Sequence, residues 1–311
     1  MNIKHISIYT IALIIFLLNN YTYSQNDSTD NIFYPEKINE KRLTAVIATE
    51  SALYVGSMIG LYSLWYKDYP QTTFHFINDN NEWLQMDKMG HIFTSYYLGR
   101  IGYESLRWSG VNENKSIWYG GMLGFAFLTT VEIFDGFSAE WGASTGDIIA
   151  NGFGTALFIG QQLAWSEQRF LIKFSFHQTE YPQYNPKLLG KNMLQEIIKD
   201  YNGETFWLSG NIHSFLRKES KFPKWLNVAF GYGAQGMTGA TGNPSEFEGQ
   251  AIPQFDRYRQ FYFSFDVDYT RIKTRSKVLK MFFTVISFIK IPFPTLEYNT
   301  KDGLKFHYLY F

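Results

Sequence analysis

Cysteine is absent from the 311-residue chain, so no thiolate nucleophile, disulfide framework, zinc ribbon or cysteine-held iron–sulfur cluster can be built from it. Excess charge is absent too. The 28 basic side chains balance the 28 acidic ones, which leaves no basic face for a phosphate backbone and makes nucleic acid an unexpected partner. H-E-x-x-H and the P-loop are missing, so zincin and P-loop nucleotide sites lack their local geometry and no nucleotide is expected. The first apolar run, Ile6 to Leu18, ends in Asn19 and Asn20, short of the roughly 18 to 20 residues of a membrane anchor. Aromatic residues, in contrast, are abundant. They make up 19% of the chain, a load that suits membrane-interface belts and outward strand faces as well as ordinary cores.

Lys4 and His5 precede that apolar run, and Thr22 and Ser24 stand at minus three and minus one of a cleavage site before Gln25. This is the pattern of a secretory leader, and it predicts export to the periplasm or outer membrane. The expected organisation is a signal peptide over 1–24, a polar tether over 25–41, a helical domain over 42–167 and an aromatic-rich antiparallel β region over 168–311. The fold class is therefore α+β.

Four apolar helices are predicted, over Leu43 to Tyr66, Trp83 to Trp108, Ser116 to Phe134 and Ser144 to Ser166, and their short connections suggest a bundle. After Phe170 the period changes to two. Phe170 to Phe176, Leu226 to Tyr232, Arg259 to Tyr269 and Leu304 to Phe311 alternate apolar and polar residues, the pattern of a half-buried sheet or of a small or incomplete outer-membrane barrel. Helical stretches are expected at Leu188 to Lys199 and Lys277 to Lys290. Gly231 to Gly236, G-Y-G-A-Q-G, reads as a hairpin turn rather than a dinucleotide site, because no helix start follows it.

The chemistry-bearing residues cluster on the second to fourth helices. Asp87 and His91 are four apart, Glu132 and Asp135 end the third helix, and Asp147 and Asn151 are four apart at the start of the fourth. Ionisable groups on apolar helices are costly to bury unless paired, so these side chains are expected to form a shared polar centre. A histidine nitrogen and several carboxylates would suit a divalent metal, with Asp87, His91, Glu132, Asp135 and Asp147 as candidate ligands. They would also suit acid–base catalysis by His91, Asp87, Glu132 and Asp147. Lys88, Asn151, Ser144, Glu140 and Trp141 are expected to support the centre. Ser144 with Asp147 three residues on also reads as a helix cap.

The runs DKMGH at Asp87 to His91, VEIFDG at Val131 to Gly136 and EWGASTGDIIANGFG at Glu140 to Gly154 resemble the uncharacterised YfiM-like predicted periplasmic lipoproteins. More distantly they are similar to VanZ-like membrane proteins. The resemblance covers about Leu43 to Trp165 and implies a small helical envelope domain without supplying a reaction. The chain departs from the lipoproteins in having no lipobox cysteine. Two functions are carried forward. One is a non-enzymatic, membrane-associated structural or interaction protein that meets membrane lipid or an envelope protein. The other is a metal-dependent or acid–base hydrolase acting on an envelope lipid or glycan.

Overall fold

Helix α1, Glu40–Leu61, starts where Asn39 accepts a hydrogen bond from the Arg42 amide, and it runs into a π-turn over Tyr62–Tyr66. Helix α2 covers Met86–Trp108. A short helical turn, Glu113–Lys115, and a π-turn, Ser116–Gly120, lead into α3, Leu123–Gly136. Helix α4 covers Thr145–Trp165 and ends in a left-handed Ser166. In this computed structural model, residues 34–67, 69–217 and 219–310 are described. The expected leader and the first part of the tether lie outside them. Contacts divide the chain into a helical unit, 34–80 with 88–168, and a β unit, 81–87 with 169–310.

Within the helical unit, glycines set how closely backbones approach. A Cβ on Gly102 would stand 2.5 Å from the Gly120 carbonyl oxygen, one on Gly124 2.2 Å from that of Ser95, and one on Gly154 2.3 Å from that of Ile92. None of these neighbours is a side chain that can swing away. Gly154→Ala is thus expected to lower unfolding stability by roughly 1–3 kcal/mol, the usual range for forced overpacking, read by chemical denaturation. An unchanged midpoint would mean that α2 and α4 are not held at this distance. Polar groups share the interior of this unit with apolar side chains such as Tyr96, Leu128 and Phe158: Ser95, Asn151, Thr155, Gln161, Gln162 and Gln168 are all buried. Large apolar side chains such as Ile59, Ile149 and Phe153 are more than half exposed. By length and composition α1 and the stretch Glu113–Gly136 could cross a membrane.

The β unit is built on one antiparallel meander of six strands. These are β1 Phe170–Phe176, β2 Glu204–Asn211, β3 Leu226–Gln235, β4 Tyr258–Val267, β5 Phe293–Asn299 and β6 Gly303–Tyr310. Every strand pairs with its neighbours in sequence, and β1 and β6 are the two edges, so the sheet is not closed into a barrel. Short helices α5, Pro186–Leu189, and α6, Met193–Lys199, replace the single stretch expected there, because Gly190 between them takes a φ of +108°. Helix α7, Lys277–Val285, continues as a 3-10 turn to Phe288.

The register sorts the side chains by polarity. Ile172, Leu208, Phe230, Phe263, Leu296 and Phe306 form one continuous row across all six strands. The next row on that face is Phe174, Phe206, Tyr232, Phe261, Tyr298 and Leu304. Between these two rows, on the opposite face, lie Lys173, Trp207, Gly231, Tyr262, Glu297 and Lys305. Gly231 is therefore a strand residue, a correction to the expected hairpin turn. A Cβ there would stand 2.7 Å from the Trp207 ring, so the glycine makes room for that indole.

Most of the polar face is buried, whereas the apolar face is buried at Ile172 and Phe206 and exposed along the row from Phe230 to Phe306. Lys173 Nζ lies 2.7 Å from Asp266 Oδ2, and both side chains are fully buried. Ser209 donates to the same Asp266 oxygen at 2.6 Å, and Gln260 donates to Glu297 at 3.0 Å. Lys290 Nζ donates to the Ile291 carbonyl and sits 4.9 Å from the Trp207 ring centre. Residues Trp83, Leu84 and Gln85 of this unit take φ values of +47°, +50° and +66°, a left-handed run that costs about 1–2 kcal/mol per residue. Bonds to the rest of the unit offset it. The Trp83 amide donates to the Ala240 carbonyl, Leu84 accepts from the Tyr232 hydroxyl, and Gln85 accepts from Arg259.

Candidate functional site

A long-range strand pairing and a helix cap bring the site together inside the helical unit. Phe76–Ile77 runs parallel to Ala143–Ser144 as a two-residue bridge, with Ile77 opposite Ser144. This sets the polar loop after Ile77 beside the start of α4, so Asp79, a loop residue, becomes a member of the centre. Ser144 caps α4, its hydroxyl oxygen accepting from the Asp147 amide at 3.1 Å, and it donates that hydroxyl proton to Asp79 Oδ1 at 2.6 Å. The cap reading and the polar-centre reading of Ser144 are thus the same geometry.

Lys88 lies between two carboxylates. Its ammonium is 2.7 Å from Asp79 Oδ2 and 2.7 Å from Asp147 Oδ1, with side-chain exposures of 12%, 10% and 6% for Lys88, Asp79 and Asp147. Gly146 keeps this space open, since a Cβ there would meet Asn80 Oδ1 at 2.3 Å and Lys88 Cε at 3.0 Å. Burial works to raise the Asp79 pKa, but hydrogen bonds from Lys88 and Ser144 and the Lys88 charge hold it below the ordinary carboxylate range.

His91 joins from one turn further along α2. Its Nδ1 is 3.0 Å from Asn151 Oδ1, and its Nε2 is 3.7 Å from Asp147 Oδ1. A side-chain carbonyl oxygen can only accept, so Nδ1 carries the proton in this pairing and Nε2 faces the carboxylate. Ser95 extends the chain of contacts, donating to the Asn151 carbonyl at 2.7 Å and lying 2.7 Å from Thr155 Oγ1. Glu132, 2% exposed, accepts from the Ser144 amide at 2.9 Å. Burial pushes its carboxyl up to about 7, with the Ser144 hydrogen bond opposing and the Asp147 charge assisting. Burial thus favours the protonated form of Glu132, while Asp79 is held ionised.

The remaining sequence candidates make further contacts. Asp135 accepts from the Tyr66 hydroxyl at 2.7 Å. Trp141 packs edge-on against Tyr66 and Tyr69, and Glu140 is exposed. Asp87 belongs to the β unit, where it accepts from the Tyr201 hydroxyl at 2.8 Å. Asp79 is the residue that the sequence reading missed. It sits in a loop of four polar residues, Asn78 to Asn81, and carries no helical periodicity to single it out.

Chemically, His91 Nε2 and the Asp147 carboxylate are donors of the kind that can ligate a divalent ion, and Asp147 shares Lys88 with the Asp79 carboxylate. The position between the two carboxylates is held by Lys88 Nζ. The cation that balances them therefore comes from the chain itself.

Residues 75–160 match a family model described as "Predicted periplasmic lipoprotein (DUF2279)". The match spans just over a quarter of the chain and contains Asp79, Lys88, His91, Glu132, Ser144, Asp147 and Asn151. The six-stranded sheet lies outside it. No curated protein and no solved structure matches the chain. The description agrees with an exported protein of the periplasm or outer membrane. Its lipid would need a cysteine, a residue type the sequence does not contain.

Proposed function

We propose that this chain is a membrane-associated structural or interaction protein of the cell envelope, and that its polar centre clamps the helices rather than performing a reaction. The observation that carries this reading is the ion chain Asp79–Lys88–Asp147, both contacts at 2.7 Å, in which a lysine of the chain itself neutralises two buried carboxylates. The clamp ties the loop after Ile77 to α2 and α4. The helical domain is read as a four-helix bundle similar to the YfiM-like lipoproteins and, distantly, to VanZ-like proteins. Its exposed apolar surface, with Ile59, Ile149 and Phe153 turned outward, supports membrane association. Membrane lipid is the partner this surface fits.

The test is fractionation of washed envelopes from cells making the wild type, His91→Gln or Glu132→Gln. All three are expected in the membrane fraction at equal abundance. Recovery of the wild type as a freely soluble protein contradicts the reading. A second reading, an acid–base hydrolase of an envelope lipid or glycan, is favoured by Glu132, whose pKa of about 7 suits proton transfer at neutral pH. Purified protein incubated with envelope lipid and glycan extracts would then release product, and Glu132→Gln would abolish it. Absence of product from the wild type removes this second reading.

A further inference from the structure

We propose that the apolar face of the six-stranded sheet is a lipid-contacting surface that seats the β unit monotopically in the hydrocarbon of a bilayer. The proposal rests on the membrane reading above and names the surface and the chemistry that it meets.

The first support is the register. Leu208, Phe230, Phe263, Leu296 and Phe306 occupy one row on five adjacent strands and are 40% to 58% exposed. In the next row Phe261, Tyr298 and Leu304 are 45% to 72% exposed. A single exposed apolar residue is ordinary on a soluble protein, whereas a contiguous apolar surface marks a binding face. On the same face the row beyond Phe174 to Leu304 carries Glu204 and Arg259, which bound the apolar band on that side. These two rows hold only Ile, Leu, Phe and Tyr from edge to edge.

The second support is the opposite face. Lys173, Asp266 and Glu297 are buried there, paired with each other or with neighbouring amides and hydroxyls. A sheet with one wet face buries its apolar side and solvates its polar one. Here the two are exchanged, as expected where the outer solvent is hydrocarbon.

The open edges decide how the sheet lies. Unpaired backbone N–H and C=O groups are not tolerated in hydrocarbon, and among the described residues no strand pairs with β6 on its outer side. Upright across a bilayer, the sheet would expose that edge to acyl chains. The sheet instead curls over its polar face, since the Tyr310 hydroxyl on β6 donates to Tyr262 at 2.6 Å and lies 3.3 Å from Thr205 Oγ1 on β2. The apolar face is therefore the convex one, and lying on it lifts both edges toward the headgroups. The β1 edge is further covered where Phe174 bridges to Ile289.

The lack of native cysteine makes the test direct. Phe230→Cys, Phe263→Cys and Leu296→Cys in the full chain, with Glu219→Cys in an exposed loop as control, are each labelled with an environment-sensitive fluorophore. They are reconstituted into phosphatidylcholine vesicles with or without bromine on the acyl chains, and circular dichroism checks that each keeps the wild-type fold. The proposal predicts blue-shifted emission at the three sheet sites, quenched by brominated chains, and unquenched emission at Glu219→Cys. Vesicle-bound protein with water-like emission at the sheet sites overturns it while leaving membrane association intact. Blue-shifted but unquenched emission, with the cysteines cross-linking between chains, identifies a second copy on this face and also overturns it. Failure of the wild type to float with vesicles removes the membrane reading itself.

Discussion

Lys88→Met is expected to lower the stability of the helical unit by roughly 3–5 kcal/mol, because it leaves the buried carboxylates of Asp79 and Asp147 without their shared cation. The mechanism is removal of one partner, not loss of a contact's intrinsic strength. Replacing the whole triad should cost much less, since an ion group exchanged for apolar groups of similar volume is often neutral or stabilising. Lys88→Met with Asp79→Asn and Asp147→Leu is therefore expected to recover most of the loss. Denaturation in detergent micelles, followed by circular dichroism, measures both variants. Equal destabilisation of the single and triple variants would show that the three charges are independent.

A second large effect is expected from pH. Glu104 on α2 is buried and accepts a hydrogen bond from the Tyr34 hydroxyl at 2.6 Å. Burial pushes its pKa from 4.5 up to about 7, against the Tyr34 hydrogen bond and the charges of Arg100 and Arg107. Between these two values the unfolded chain ionises first, so the folded state holds more protons and stability falls as pH rises. The group's contribution is fully present below pH 4.5 and is lost by pH 7. The fall is roughly 3 kcal/mol. Glu104→Gln is expected to be more stable than the wild type at pH 8 and to show a flatter profile over this window. Asp79 works in the opposite sense. Its depressed pKa contributes stability above pH 3.8 that is lost as pH falls through its folded value. A wild-type profile that keeps rising to pH 8 would contradict the assignment for Glu104.

The helices and the α+β class were legible because each rests on local pattern. Ser144 starts a helix as a cap residue, and the small residues at Gly120, Gly124 and Gly154 sit where backbones meet, whereas the first helix begins three residues before Leu43, capped by Asn39. Four of the six strands were legible from alternation, the last of them only in part. The two that were missed break the pattern for identifiable reasons. In β2, Trp207 is a large aromatic on the polar face, so Phe206, Trp207 and Leu208 read as a continuous apolar run. In β5, Pro294 removes an amide donor and demotes the segment by any propensity rule.

The polarity of the sheet was legible only as a choice between a packed sheet and a barrel. Alternation says which residues share a face, and burial alone says which face is inside. In the site, His91, Asp147 and Asn151 followed from four-residue spacing on helices. Asp79 did not, because its position depends on the parallel bridge between Phe76–Ile77 and Ala143–Ser144, a contact between residues more than sixty apart. The role of Lys88 as the central cation follows from that same contact.

The most direct test of the central claim, that Lys88 is the resident cation of this centre, is a titration of Mg2+, Mn2+ and Zn2+ into the purified full-length protein. Wild type, His91→Ala and Asp147→Ala are followed in parallel by calorimetry and metal analysis. The account predicts no stoichiometric ion in the wild type and no metal-dependent difference among the three proteins. One ion bound per chain in the wild type and lost in both variants would contradict it and make the centre a metal site.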